Sequence, residues 1–150
     1  MERLRVYADT SVFGGCFDEE FEEESRALFT MAESDEILLL ISPLLVQELA
    51  YAPADVRNVL ATLQSHSIEL VEETNEARVL SEQYLRAGVV KHGQMNDALH
   101  VALATVHHAD ILLSWNFKHM VHFDKIRGFA AVNIEAGYGP IEIRSPLEFV

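Results

Sequence analysis

The chain has one cysteine, Cys16, among its 150 residues. A single cysteine excludes an internal disulfide and every CxxC zinc or redox motif, and such cysteine usage is typical of a reducing compartment. No apolar run approaches the roughly 18 to 20 residues that a membrane-spanning helix needs. The opening residues MERLRVYADT also lack the features of a signal peptide. We therefore expect a cytoplasmic protein that makes no use of a membrane.

Positive charge is scarce as well. The chain has 11 Lys and Arg residues against 24 Asp and Glu residues, and its formal net charge is −13. Domains that bind nucleic acid through bulk electrostatics usually carry a basic face, so this balance counts against that mode of binding. The acidic run DEEFEEE at residues 18–24 is typical of a solvated helix start, where carboxylates interact favourably with the helix dipole.

The seven glycines form neither a GxGxxG motif nor the phosphate-binding P-loop pattern. Dinucleotide and nucleoside triphosphate binding therefore have no support in the sequence. The chain is nevertheless 49% hydrophobic, which suffices for a sizeable core at this length. With no linker, repeat or low-complexity segment, residues 1–150 are predicted to form a single domain.

Apolar runs of strand length alternate with longer segments of helical periodicity. The predicted strands are residues 4–8, 36–42, 67–71, 110–114 and 141–145. The predicted helices are residues 20–34, 43–52, 54–66, 74–87, 96–108 and 118–136. Such alternation predicts an α/β fold, a three-layer α/β/α sandwich with a central, mainly parallel sheet of four to five strands.

Polar residues follow two of the predicted strands at the edge where ligands bind in open parallel sheets. Asp9 follows the first strand in ADTS, and Asn116 follows the fourth in SWNF. Asp9 alone is as readily a turn former as a ligand, because Asp before Thr and Ser often caps a loop.

Two more carboxylates fall at special positions on predicted helices. Glu48 lies on the apolar side of a short helix that Ser42 and Pro43 begin, although a partly exposed glutamate is an equally simple reading. Asp97 occupies the first turn of the apolar helix in GQMNDALHVALAT, where Asn96 is the predicted cap and an acid is stabilising without any ligand.

The three acids Asp9, Glu48 and Asp97 have no obvious cationic partners nearby in the sequence. If they converge, they repel one another by about 4 kcal/mol per pair at 4 Å and an effective dielectric near 20, unless a cation lies among them. Hard oxygen ligands suit Mg²⁺ or Mn²⁺, which retain waters and accept phosphate oxygens. This constellation predicts phosphodiester hydrolysis.

Four segments, ADTSVFGG, ISPLLVQEL, MNDALHVALAT and ILLSWNFKHM, resemble in order and spacing the PIN-domain nucleases, most closely the VapC-like toxins of toxin–antitoxin pairs. The resemblance covers nearly the whole chain. It implies a divalent-metal-dependent endoribonuclease that forms a homodimer and is neutralised by a small antitoxin protein. Asp9, Glu48 and Asp97 match the acidic residues of that family, with Asp9 and Asp97 on the metal and Glu48 acting through water or as a base.

The fourth acidic position of the family falls on Asn116, which offers a neutral carbonyl oxygen in place of a carboxylate. The resemblance therefore implies weaker binding of a second metal ion. Lys118, Lys125 and Arg127 follow this motif and are candidates to contact phosphates or are solvated surface charges. His100, one turn after Asp97, is predicted either to orient a carboxylate or to be a buried histidine with satisfied hydrogen bonds.

Two other functions fit parts of the pattern. A PIN-like scaffold that binds RNA or protein is the expected result if the change at Asn116 abolishes catalysis. Phosphoryl transfer through an aspartyl nucleophile would use Asp9, but ADTSV lacks the second Asp two residues on that phosphatases of this kind use.

Overall fold

The computed structural model describes residues 2–150 and contains one sheet of five parallel strands. The strands are β1 (Leu4–Ala8), β2 (Ile37–Ile41), β3 (Ile68–Leu70), β4 (Ile111–Leu113) and β5 (Ile143–Arg144). Their spatial order is β3-β2-β1-β4-β5, and all four neighbouring pairs are parallel. The predicted parallel sheet is confirmed; Met1, which the predicted domain includes, lies outside the described residues.

Helices connect the strands on both sides of the sheet. They are α1 (Thr10–Gly15), α2 (Glu22–Glu33), α3 (Pro43–Ala50), α4 (Ala54–Thr62), α5 (Asn75–Arg86), α6 (Met95–Val106), α7 (Phe123–Glu135) and α8 (Pro146–Phe149). Short 3₁₀ helices occupy Ser65–Ser67 and His92–Gln94. Among the helices of residues 2–150, none has the length and apolar character required to cross a bilayer.

Each face of the sheet is covered by its own hydrophobic core. Along β1, Val6 and Ala8 pack into a core with α1 to α4, whereas Tyr7 packs into a second core with α5, α6 and α7. Side chains alternate between the faces of a strand, and a parallel sheet covered on both faces needs apolar residues at nearly every position. The predicted three-layer sandwich is confirmed.

Helix α1 was not predicted, because Gly14 and Gly15 favour a loop in isolation. Tertiary packing overrides that preference. A Cβ on Gly15 would lie 2.7 Å from Nε1 of Trp115, so glycine lets α1 approach this side chain closely. The predicted helix 118–136 is also shorter than expected and begins only at Phe123.

The strand order reverses direction at β1, because the chain first adds β2 and β3 on one side and then β4 and β5 on the other. Such a switch point opens a crevice at the carboxyl ends of the two central strands. Ala8 pairs with Leu113 at these ends, and the Asp9 backbone N–H donates to the Leu113 carbonyl at 3.1 Å. The residues that follow β1 and β4 therefore lie side by side at the crevice.

Candidate active site

Asp9 is the N-cap of α1 and lies at the switch point, so its interpretation as a turn former is confirmed and its role as a ligand stays a prediction. Its Oδ1 accepts hydrogen bonds from the Ser11 N–H at 3.0 Å and the Ser11 hydroxyl at 2.5 Å. Its Oδ2 accepts one from the Ser114 hydroxyl at 2.6 Å. Only 4% of the residue is exposed. Burial raises the pKa of Asp9, although these hydrogen bonds and the interaction with His100 oppose the increase.

Glu48 projects from α3 toward the crevice. The Ser42 hydroxyl caps α3 by accepting from the Leu45 N–H at 3.1 Å, as predicted. Glu48 Oε1 accepts from the Thr10 hydroxyl at 2.5 Å and lies 2.6 Å from His100 Nε2. Burial raises the pKa of Glu48, but the hydrogen bonds and charge interaction with His100, helped by Thr10, outweigh it, so the pKa is lowered overall. Glu48 is therefore ionised at neutral pH.

His100 is buried and also orients a carboxylate, so both alternatives left open for it are true of the same side chain. Only 2% of the residue is exposed. While Nε2 contacts Glu48, Nδ1 lies 2.6 Å from the Tyr7 hydroxyl, which in turn lies 2.8 Å from the Ser42 hydroxyl. A continuous polar network thus runs from the second hydrophobic core to Glu48.

Asp97 lies in the first turn of α6, as predicted, but Asn96 is not the cap. A 3₁₀ helix precedes α6 and makes Gln94 the N-cap, which frees the Asn96 amide to lie 3.5 Å from Glu48 Oε2. Burial raises the pKa of Asp97, and the negative charges of Asp9 and Glu48 raise it further, against the influence of His100 and His119. Asp97 is therefore close enough to Asp9 to sense its charge.

Asn116 connects the loop after β4 to Asp97. Its Oδ1 accepts from the His119 backbone N–H at 2.9 Å, and this fixes the orientation of the amide group. Its Nδ2 then donates to Asp97 Oδ2 at 3.3 Å. The sequence suggested a carbonyl oxygen turned toward a metal, whereas in this structure the amide nitrogen faces Asp97 and the oxygen is already engaged.

Sequence reasoning missed the hydroxyl groups around the acids. Thr10, Ser11 and Ser114 all donate to carboxylate oxygens of the site. The Ser114 hydroxyl also accepts from the Asn116 N–H at 3.0 Å. The available signal was their position, because Thr10 and Ser11 are the two residues after Asp9 and Ser114 directly follows β4 at the crevice.

The carboxylate oxygens of Asp9 and Asp97 are the type of ligand that hard divalent cations prefer. Within residues 2–150, no three His, Cys, Asp or Glu side chains approach closely enough to hold a metal ion together. Mg²⁺ is usually held by one or two carboxylates and keeps several waters, so Asp9 and Asp97 meet its requirement. Among residues 2–150, neither Asp9 nor Asp97 lies within 4.0 Å of a Lys, Arg or His nitrogen, so neither carboxylate has an ion-pair partner. Glu48 contacts His100 and Thr10, and its charge also raises the pKa of Asp97.

Comparison with known proteins agrees with this arrangement. Residues 6–132 match the family model of the PIN domain, and the chain belongs to the PIN-domain family. The predicted resemblance is thereby confirmed.

Solved structures of the VapC type share the fold. VapBC2 from Rickettsia felis, bound to a DNA fragment from its promoter, matches with a TM-score of 0.60 and 14% identity over 95% of this chain and 98% of that chain. DNA-bound VapBC from Salmonella typhimurium has a TM-score of 0.57 and 16% identity, with the same coverage. VapC20 from Mycobacterium tuberculosis, described as a sarcin–ricin loop cleaving toxin, has a TM-score of 0.52 and 15% identity over 91% of this chain and 98% of that chain. No curated protein matches the chain.

Proposed function

We propose that this chain is a divalent-metal-dependent endoribonuclease and the toxin of a toxin–antitoxin pair, with Mg²⁺ or Mn²⁺ as its cofactor. The observation that carries the proposal is that two carboxylates without an ion-pair partner, Asp9 and Asp97, both contact residues that follow β4, at the switch point of a PIN-domain fold. The similarity to VapC20, which is described as a sarcin–ricin loop cleaving toxin, supports RNA as the substrate class.

In this proposal Asp9 and Asp97 hold the cation, and the hydroxyls of Ser11 and Ser114 fix the Asp9 carboxylate. When bound, a divalent cation supplies positive charge that acidifies the attacking water and stabilises the charge developing on the phosphate. Asn116 donates to Asp97 and so holds its carboxylate in one orientation. These contacts preorganise the ligands before substrate arrives.

Glu48 has a different role from the two aspartates. Its lowered pKa makes it a weak proton acceptor, because an efficient general base has a pKa near the working pH. We therefore favour Glu48 as a fixed anion that positions water, oriented by His100 and Thr10, over Glu48 as the base.

The proposed protein partner is also inferred from the similar structures. The similar structures from Rickettsia felis and Salmonella typhimurium are VapBC complexes, which supports a small antitoxin protein as the partner of this chain. A homodimer, implied by the resemblance to the family, and a cytoplasmic location, expected from the sequence, are part of the proposal.

The decisive assay is cleavage of mixed structured RNAs with Mn²⁺ or with excess EDTA. We expect cleavage only with metal, and we expect Asp97→Asn to reduce it by at least about two orders of magnitude, since a metal ligand contributes several kcal/mol. Asp55→Asn, at an exposed position in the first turn of α4, makes the same chemical change away from the site and should cleave like the wild type. Cleavage that persists in EDTA, or in purified Asp97→Asn, would contradict the proposal.

A second candidate function rests on Asn116. An amide in place of a carboxylate next to Asp97 removes one negative charge from the site, and this favours a PIN-like scaffold that binds RNA or protein without cutting it. RNA binding by a wild-type protein that cleaves nothing with either Mg²⁺ or Mn²⁺ is the result this alternative predicts.

A further inference from the structure

The few cations of this acidic chain are unevenly distributed. Six arginines pair with carboxylates within 4.0 Å: Arg3, Arg5, Arg26, Arg78, Arg86 and Arg144. Within residues 2–150, the Lys and Arg side chains outside these pairs are Arg57, Lys91, Lys118, Lys125 and Arg127. Four of these five lie between residues 91 and 127, although the chain carries 24 acids that could pair with them.

Three basic side chains from this segment line one cavity of about 400 Å³, which we call the cationic pocket: Lys118, His122 and Lys125. Asp124 is the carboxylate on its wall. The Lys125 Nζ donates to the Val89 carbonyl at 2.6 Å, which holds the ammonium group against the wall and leaves its other N–H donors for a ligand. Lys118 is exposed.

The start of α7 also favours an anion at this pocket. His122 is the N-cap of this 13-residue helix and makes no side-chain capping hydrogen bond. The first backbone N–H groups of the helix therefore remain available, and the positive end of its dipole adds to the lysine charges. Lys125 in the first turn is unfavourable by itself, since cations are repelled there, and an anion between the groups offsets this cost.

The cationic pocket is next to the candidate active site. Lys118 is two residues from Asn116, which contacts Asp97. His119 donates its backbone N–H to Asn116, and its Nδ1 lies 2.9 Å from Gln94 Nε2. The segment that carries the pocket is therefore hydrogen-bonded both to the loop after β4 and to the start of α6.

The loop that carries Lys118 also packs against an acidic helix start. Trp115 stacks on Phe21 with ring centroids 4.2 Å apart, and the ring of Phe117, the residue before Lys118, lies 6.5 Å from the same ring. Phe21 immediately precedes the acidic first turn of α2, formed by Glu22, Glu23 and Glu24. A polyanion that approaches this loop is therefore attracted by Lys118 and repelled by the first turn of α2.

We propose that the cationic pocket binds a backbone phosphate of the RNA strand next to the bond that is cut at Asp9 and Asp97. The proposal rests on the proposed ribonuclease function, because it places the bond to be cut at these acids. It also explains how a chain of net charge −13 engages RNA, since only a local cluster of cations has to face the strand.

The test is binding of a fluorescein-labelled, 20-nucleotide mixed-sequence single-stranded RNA by the full chain, followed by fluorescence anisotropy in EDTA across a KCl series. The slope of the logarithm of the binding constant against the logarithm of salt concentration is negative. Loss of one phosphate contact on a single strand makes this slope shallower by about 0.7. We therefore expect Lys118→Gln to bind about fivefold more weakly than the wild type at 0.1 M KCl. The matched control is Arg57→Gln on α4, an exposed cation outside the salt bridges and far along the chain, which should keep the wild-type slope.

Equal slopes for Lys118→Gln and Arg57→Gln would overturn the proposal. A polyglutamate peptide that binds as tightly as the RNA, with the same dependence on Lys118, would also overturn it and point to an acidic protein partner. Both substitutions are at exposed positions, so their folding is checked simply by coincident thermal melts with the wild type.

The design separates this proposal from the proposed function, because binding in EDTA requires no cleavage. A reduced salt slope for Lys118→Gln in a protein that never cleaves RNA supports the pocket and contradicts the ribonuclease. If Mn²⁺-dependent cleavage occurs, Lys118→Gln should raise KM about fivefold with little change in kcat, since the proposal assigns Lys118 to a phosphate beside the bond and not to the bond that is cut. Cleavage with a wild-type KM in that variant supports the ribonuclease and contradicts the pocket.

Discussion

His100 Nε2 lies 2.6 Å from Glu48 Oε1, and its other ring nitrogen lies 2.6 Å from the hydroxyl of Tyr7. A single buried side chain on α6 therefore joins β1 in the core to a carboxylate on α3 at the crevice. Because the Thr10 hydroxyl also donates to Glu48 Oε1 at 2.5 Å, the orientation of Glu48 depends on this histidine and on Thr10 together.

We predict that His100→Leu destabilises the protein by about 2 kcal/mol, because it leaves buried polar groups of Glu48 and Tyr7 with fewer partners. Tyr7→Phe should cost about 1 kcal/mol by itself. The double variant should lose less stability than the sum of the two single losses, by at least about 0.5 kcal/mol, since both substitutions interrupt the same network. Urea unfolding of the four proteins measures the coupling, and strictly additive costs would show that the network is not cooperative.

We predict that the contribution of Glu48 to the stability of the fold decreases at acidic pH. Its pKa is lowered in the folded protein from an ordinary value of 4.5, so the ionised group stabilises the fold. This contribution is fully present above the unfolded pKa and is lost as the pH falls through the folded pKa. Glu48→Gln should therefore be less stable than the wild type at pH 7, and the difference should shrink only as the pH falls below 4.5 and through the lower pKa of the folded protein. Urea unfolding at pH 7 and at a series of pH values below 4.5 checks the trend, and a constant difference would contradict it.

The sequence predicted the positions of the acids better than their partners. Asp9 could be predicted because β1 is an apolar run that ends at the crevice of a parallel sheet, and Asp97 because it opens an apolar helix. The contact of Glu48 with His100 joins residues 52 apart in the sequence and depends on how α3 and α6 meet, which no local pattern encodes. The strands and the layers could also be predicted, because the apolar periodicity of each strand and helix is visible within a short stretch of sequence.

Two errors have a common physical cause. Helix α1 was missed because the local preference of its glycines opposes a helix, and the packing of Gly15 against Trp115 comes from distant parts of the chain. The orientation of the Asn116 amide was missed because the backbone N–H of His119 decides it. In both places tertiary contacts override what the residue type suggests.

We predict that Asn116→Asp strengthens divalent binding and weakens the metal-free fold. An aspartate can keep the hydrogen bond from the His119 N–H, and its second oxygen then replaces Nδ2, which lies 3.3 Å from Asp97 Oδ2. Two carboxylate oxygens at this separation repel without a cation and attract one when it is present. Calorimetric titration should show Mn²⁺ affinity higher by about 1 kcal/mol or more, in line with how ligand charge tunes such sites.

The control for this prediction is Asn58→Asp, which adds the same charge at an exposed position of α4. It should change Mn²⁺ affinity little, because exposed charges farther apart than about 10 Å are largely screened at moderate salt. Equal or weaker Mn²⁺ binding by Asn116→Asp than by the wild type would show that residue 116 does not face the cation.

Asp97 shows a pH dependence opposite to that of Glu48. Burial, followed by the charge of Asp9, raises its pKa in the folded protein, so the ionised group destabilises the metal-free fold at neutral pH. Its contribution to stability is present below the unfolded pKa and is lost as the pH rises through the folded pKa. Without metal, the wild type should therefore gain stability relative to Asp97→Asn as the pH falls from 7.5 toward about 5.

The central claim, that Asp9 and Asp97 hold a divalent cation, is tested most directly by thermal melts of wild type and Asp97→Asn at pH 7.5, first with EDTA and then with millimolar Mn²⁺. In EDTA we expect Asp97→Asn to melt a few degrees higher, from about 1 kcal/mol of relieved repulsion and desolvation. With Mn²⁺ the order should reverse, because a ligand at a hundredfold excess over Kd stabilises the folded wild type by about 2.7 kcal/mol. A lower melting temperature for Asp97→Asn in EDTA with no Mn²⁺-dependent reversal would contradict the claim and leave Asp97 as a helix-start acid.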